Sequence, residues 1–362
     1  MDANDRKAWL RLHLSPGLGR RALFRLIEHY GDPHAALAEP AERWCRCGVR
    51  ADVAAGRLPE GHPELLRTLD LLDRLEVTLV SFWDRDHYPE LLRRIPDPPA
   101  LLYLRGHLPT TDMFAVVGSR RASRRGKAVA RDIARDLAAA GLAVVSGLAR
   151  GIDTAAHLGA LDAEGQTVAV LGCGIDRVYP PENADLFREI IDSGAILTEY
   201  PPGALPLAGH FPGRNRIISG LSKGVLIVEA AEGSGSLHTA EFALETGREV
   251  FAVPNPVDAP TSGGVNQLIK DGARVVTESR DILDIVRPEY RHRPTDRGTS
   301  ARDSLNADQL NMLNLLDFEP VHIDEILRKC GLTPPVVSDI LLHLELSGLV
   351  VQQPGGYYLR IA

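Results

Sequence analysis

The feature that most constrains this chain is a series of short, continuously apolar segments between residues 76 and 287. "VTLVSFW", "FAVVG", "LAVVSG", "TVAVLGCG", "AILTEY", "GVLIVEA", "EVFAVPN" and "RVVTE" are rich in Val, Ile and Leu, and most end in Gly, Glu or Pro. Helical stretches such as "GKAVARDIARDLAAAG" and "LHTAEFALETG" lie between them. Strands that are apolar at every position are buried on both faces, and helical crossovers between them make the sheet parallel. The expectation is an α/β fold over 76–287: a doubly wound, extended Rossmann-like sheet that binds ligands outside the carboxyl ends of its strands.

One of these segments runs from "FAV" into "VGSRRASRRG", a strand, turn and helix with arginines at 120, 121, 124 and 125. The first amides of such a helix are unpaired and point outward, so the turn is a place for phosphate. Its spacing is neither G-x-G-x-x-G nor G-x-x-x-x-G-K-[ST], so neither a dinucleotide nor a Walker-type triphosphate loop follows from it. Gly118, Gly147, Gly172 and Gly174 fall at the same sheet edge, as do Ser234, Gly235 and Ser236.

The formal net charge of −7 argues against nucleic-acid binding over the whole surface, but the charge is uneven. Between Gly118 and Arg131 there are six Lys/Arg and no acid; between Pro201 and Val228, Arg214, Arg216 and Lys223 again stand without one. Ser119, Arg120 and Arg121 follow the first turn. Ser146 and Arg150 frame "SGLARGID", ahead of Asp153, which can cap the next helix. Arg214 and Arg216 open a helix, and Lys223 precedes a strand. Such a set can track a polyanionic backbone while helix termini hold single phosphates. The alternative for each is a solvated face or an ion pair to a neighbouring helix, and Arg124, Arg125 and Lys127 read as helix surface.

Elsewhere the chain is ordinary. With 362 residues, 44% of them hydrophobic and 25% charged, it has room for two or three domains. No apolar run reaches the length of a membrane span and "MDANDRKAWL" lacks a signal peptide's apolar region, so a cytoplasmic protein is expected. Cys45, Cys47, Cys173 and Cys330 suit neither a disulfide framework nor a zinc site, and no metal or cofactor is expected. Residues 1–75 show helical periodicity and read as a small helical domain, whose "SPGLGRRALFRLI" resembles a helix-hairpin-helix turn. Residues 288–304 read as a linker, and 305–362, with three helices and a Pro-Gly-Gly hairpin, as a winged helix. Its presumed recognition helix, Thr333 to Gly348, holds no Lys or Arg, which favours contact with protein over DNA.

The ordered motifs "YPELLRRIPDPPALLYLRG", "VGSRRAS", "SGLARGIDTAAHLGAL", "AVLGCGIDRVYPPEN", "TEYPPG", "FPGRNRIISGLS", "VEAAEGSGSL" and "GREVFAVP" closely resemble the DNA-processing protein A family (DprA, also called Smf) over essentially the full chain. The resemblance implies a homodimer that binds single-stranded DNA and loads the recombinase RecA onto incoming strands in natural transformation. It departs from the usual pattern at His238, where the family has an aliphatic residue, and at Asn255, where glycine is common. His238 reads as a partly exposed side chain able to titrate near neutral pH, and Asn255 as a residue that tolerates a left-handed turn.

The rival reading is a nucleotide phosphoribohydrolase on the same fold, to which "GSGSLHTAE" is loosely similar. That loop carries paired glycines and a glutamate three residues after its threonine. Here Phe242 stands at that position, and Glu241, one residue early, is swung about 100° around the helix. A binder without catalytic residues is therefore expected. For assembly, the family's dimeric habit points to Val265, Leu268, Ile269 and Val275, at helical spacing in "GVNQLIKDGA" and on the last strand.

Overall fold

A computed structural model describes residues 2–288, 305–316 and 320–360, so all of the expected linker after Pro288 lies outside the described residues. The chain divides into two compact units, the first taking in residues up to Ala122 and Ala130–Val286; the carboxy-terminal module belongs to the second.

The first unit is built on strands β1 (Thr78–Ser81), β2 (Leu101–Gly106), β3 (Met113–Val117), β4 (Ala143–Ser146), β5 (Thr167–Val170), β6 (Ala195–Thr198), β7 (Gly224–Ile227), β8 (Glu249–Ala252) and β9 (Arg274–Val275). They form one sheet in the order β1-β2-β6-β5-β4-β3-β7-β8-β9. From β3 to β9 all pairing is parallel, as the buried apolar segments imply. The sheet differs from a wholly parallel one at one edge, where β2 lies antiparallel to β6 and β1 antiparallel to β2. β2 comes from "LLYLRG", a segment that the strand pattern alone passes over. An antiparallel partner needs no helical crossover, and the connection from β1 to β2 carries only the short helix Glu90–Arg93.

Alternation along the strands supplies both faces with a core. Val168 and Val170 join Val145, Ile217, Ile218 and Leu221 on one side, while Ala169 and Leu171 join Trp44, Leu10 and Leu65 on the other. The amino-terminal helices thus close one face of the sheet. Arg20–Tyr30 packs through Leu23, Leu26 and Ile27, and Pro63–Arg74 through Leu65 and Leu72. In Ala3–His13, His13 Nδ1 lies 2.8 Å from the hydroxyl of Tyr103 on β2; Tyr103 is fully buried and His13 half-buried.

At the β9 edge Val275 is exposed and Leu268 and Ile269 are half-buried, but Val265 is fully enclosed in the core and is unavailable to a partner. Val265 is thus core and not a partner contact, because the short helix Gly263–Lys270 rolls that residue inward against its own sheet, on which Leu268 and Ile269 also pack in part.

In the carboxy-terminal module, helices Ala307–Leu315, Ile323–Cys330 and Pro334–Leu346 enclose Met312, Leu313, Ile326, Val337, Leu341 and Leu344 beside a sheet of β10 (Val321–His322), β12 (Tyr357–Arg360) and β11 (Val350–Gln353). The β11–β12 hairpin turns on Gly355 and Gly356, both at positive φ, and this is the wing.

Candidate nucleic-acid interface

The chain winds outward from β3 through β4 and β5 to β6, then returns to place β7 on the other side of β3. Loops leaving β3 and β7 therefore diverge, and the crevice between them is where such sheets bind ligands. A cleft of about 540 Å³ occupies it, lined among others by Gly118 to Arg121, Phe211, Asn215 and Ser234 to Ser236.

Each wall has a local cause. The loop after β3 is pinned when Ser119 N donates to the Glu229 carbonyl at 2.7 Å and Ile152 N donates to the Ser119 carbonyl at 3.2 Å. The second contact requires Gly151, at φ +83°, since a Cβ there would stand 2.2 Å from the Ser119 oxygen. Arg120 then projects outward, exposed, with its guanidinium carbon 4.8 Å from the centre of the Phe211 ring. Phe211 in turn lies 5.6 Å from Tyr179, a tilted pair open to solvent on the Tyr179 side. Neither Arg120 nor Arg121 forms an ion pair among the described residues. On the far wall, Asn215 Nδ2 donates to the Gly235 carbonyl at 2.9 Å, fixing the turn at the amino end of helix Leu237–Glu245, and the Ser234 and Ser236 hydroxyls meet at 2.9 Å.

Beneath the cleft sit two buried charged groups, Arg214 and Asp153. Arg214 donates to the carbonyls of Gly147, at 2.8 Å, and Val170. Burial pulls its pKa down to about 10, so it stays protonated at neutral pH, and Asp153 opposes that pull. Burial pushes the Asp153 carboxyl up against the counter-pull of Arg214. Asp153 does not cap its helix, Ile152–Asp162, whose N-cap is Gly151; its carboxylate accepts from the amides of Gly147 at 3.1 Å and Ala149 at 3.4 Å.

Several residues that the sequence assigns to phosphate are thereby engaged elsewhere. Arg214 belongs to the floor and Gly147 lies under its guanidinium. Ser146 is fully buried and donates to the Val116 carbonyl at 2.7 Å. Gly172 is covered by Phe211, and Gly174 is packed among Asp176, Pro201 and Gly203. Arg216 is buried in a bidentate pair with Glu199, at 2.8 and 2.6 Å, which also reaches Arg20 at 3.4 Å. Lys223 pairs with Asp112 at 2.6 Å at the amino ends of β7 and β3, the opposite edge of the sheet. Arg150 stays at the cleft rim but pairs with Glu182. The acid-free window at 201–228 is filled in space, because Glu199 and Asp112 reach Arg216 and Lys223 from other segments, whereas Arg120 and Arg121 stay without an acid among the described residues.

The family model of DNA recombination-mediator protein A matches residues 79–287, and that of the DprA winged helix domain matches 297–356. The chain belongs to the DNA recombination-mediator protein A family. Its relatives in that family include protein Smf of Escherichia coli K12, 42% identical over 281 residues that cover 76% of this chain and 75% of the relative. The crystal structure of DprA from Streptococcus pneumoniae is similar with a TM-score of 0.69 and 35% identity, covering 77% of this chain and 97% of that one. A structure titled for the single-stranded DNA binding mode of DprA from Helicobacter pylori aligns with a TM-score of 0.53 and 29% identity over 59% of this chain and 97% of that one.

Against that family background, the two atypical positions have ordinary roles. His238 is half exposed and its Nδ1 lies 2.9 Å from Glu241. Asn255 is not in the left-handed region; its side chain donates to the Val228 carbonyl at 2.8 Å, and its backbone exchanges hydrogen bonds with the Asn266 side chain. The residues that charge-based reading missed are the aromatic pair Tyr179 and Phe211 and the turn-holding Asn215. Both aromatics stand next to prolines, in "VYPPEN" and "HFPGRN", and that neighbourhood was the available signal that they line a loop and not a core.

Proposed function

We propose that the chain binds single-stranded DNA in the β3/β7 cleft and acts as a recombination mediator, delivering strands to RecA in the cytoplasm during natural transformation. The observation that carries the reading is Arg120 stacked on Phe211: a cation and an aromatic face side by side in a groove bounded by helix amino termini. Backbone phosphate goes to the cation and the helix amides, and bases stack on Phe211 and Tyr179, a combination that holds a strand with little regard to sequence. Duplex DNA keeps its bases paired and cannot use the aromatic wall.

The reading is of a binder and not an enzyme. Glu241 is turned out against His238, away from the cleft, and the carboxylate that does line the cleft, Asp153, is buried and engaged by two backbone amides. That no helix among the described residues is long and apolar enough to cross a membrane is consistent with work on DNA inside the cell. A twofold contact through Leu268, Ile269 and Val275 would set two clefts on one strand, and the cation-free recognition helix of the winged module suits contact with protein.

Incubation with labelled oligothymidylate and, separately, with nucleoside monophosphates tests this. Retention of the oligonucleotide with monophosphates recovered intact is expected; release of base from a monophosphate would replace the reading with the hydrolase one.

A further inference from the structure

Glu182 places an acid on the rim of a cleft otherwise suited to a polyanion. From Tyr179 the chain passes through Pro180 into the short turn Pro181–Asn183, and Asn183 fastens that turn by donating to the Leu148 carbonyl and to the Thr154 hydroxyl, each at 2.9 Å. The Glu182 carboxylate is so held opposite the loop after β4, where it takes Nε and Nη2 of Arg150, the latter at 3.0 Å. Arg150 and Arg120 line one small recess of about 30 Å³, together with Gly147, Tyr179 and Phe211. A second cation therefore stands beside Arg120, neutralised by an acid.

We propose that this recess is a second phosphate position on the strand path, that Arg150 supplies its cation, and that Glu182 must release Arg150 before the position fills. The proposal rests on the reading of the cleft as a strand site. The pair is easily opened, since its side chains are 57% and 49% exposed and exposed ion pairs hold weakly. What opens it is a phosphodiester already tethered through a neighbour on Arg120, because tethering raises its local concentration to the millimolar range. A mononucleotide has no such tether. Glu182 thus makes the rim selective for a continuous strand over single nucleotides, at the expense of some affinity for both.

Affinity for labelled oligothymidylate as a function of salt, with wild type, Glu182→Gln, Arg150→Gln and the double variant, tests the assignment. Glu182→Gln exposes Arg150 and is expected to tighten binding about threefold or more at low salt and to steepen the log–log salt slope by about 0.7, one further phosphate neutralised. The gain is expected to disappear when Arg150→Gln is added, and competition by thymidine monophosphate should strengthen in Glu182→Gln alone. Unchanged or weaker binding by Glu182→Gln, or a gain that survives in the double variant, would overturn it. Glu182→Ser serves as a second variant at this exposed position. Arg120→Glu in the same series separates the two levels: if it leaves binding intact the cleft reading itself falls, whereas if it abolishes binding while Glu182→Gln is silent only the second phosphate position does.

Discussion

Arg214 reaches 2.8 Å from the Gly147 carbonyl, so the loop that follows β4 rests on a guanidinium buried under it. That contact converts a residue with the look of a phosphate ligand into part of the frame. Removing it strands Asp153, which is buried, without its counter-charge. It also leaves the buried carbonyls of Gly147 and Val170 without their donor, at about 1–3 kcal/mol for each buried polar group left unpaired. Arg214→Ala is therefore expected to lower the urea midpoint sharply, while the exposed Arg120→Glu leaves it close to wild type. Equal midpoints for Arg214→Ala and wild type would show that the floor is not structural.

Acid sensitivity follows from two histidines held inside the fold, His157 fully buried and His13 half-buried. Burial holds the pKa of His13, against Tyr103, down at about 4, and burial with the Arg214 charge holds that of His157 down at about 3, both from an ordinary 6.5. Below 6.5 the unfolded chain takes up protons that the folded chain refuses, so stability present above that pH is lost as pH falls toward 4 and then 3. Each histidine contributes a slope of up to about 1.4 kcal/mol per pH unit. Urea midpoints measured between pH 7 and 4.5 should fall steadily, and His13→Gln, which keeps a hydrogen-bonding nitrogen without the titration, should flatten the decline. A decline of the same slope in that variant would clear His13 of the effect.

Much of this was legible in the sequence, and what was not shares one physical cause. Strand identity is local: β3 to β8 are apolar at nearly every position and announce a sheet buried on both faces. Strand partnership is not, and nothing in "LLYLRG" says that β2 returns antiparallel beside β6. The same holds for the cations. Arg120 stands exposed because a turn after a buried strand exposes whatever follows it, but Arg216, Lys223 and Arg150 find Glu199, Asp112 and Glu182 on other segments, and charge counted along a chain cannot anticipate those meetings. Phe211 escaped notice because a lone aromatic is more often core than platform.

Assembly is testable at the β9 edge. With Val265 enclosed, a twofold contact there would rest on Leu268, Ile269 and Val275. Ile269→Arg is expected to give a folded monomer by light scattering, with binding to long oligonucleotides weakened through lost avidity and binding to short ones nearly unchanged. A persistent dimer would place the contact on another surface, and an unfolded variant would mark Ile269 as core.

The most direct test of strand binding in the cleft is a salt titration of single-strand affinity for Arg120→Glu combined with Phe211→Ala, with Lys223→Glu beside it as a charge-matched control at the opposite edge of the sheet. The cleft variant should lose at least about tenfold in affinity, roughly 1.4 kcal/mol, and show a flatter salt dependence, while the Lys223 variant keeps both close to wild type. Unchanged affinity in a folded cleft variant, or an equal loss in Lys223→Glu, would contradict it.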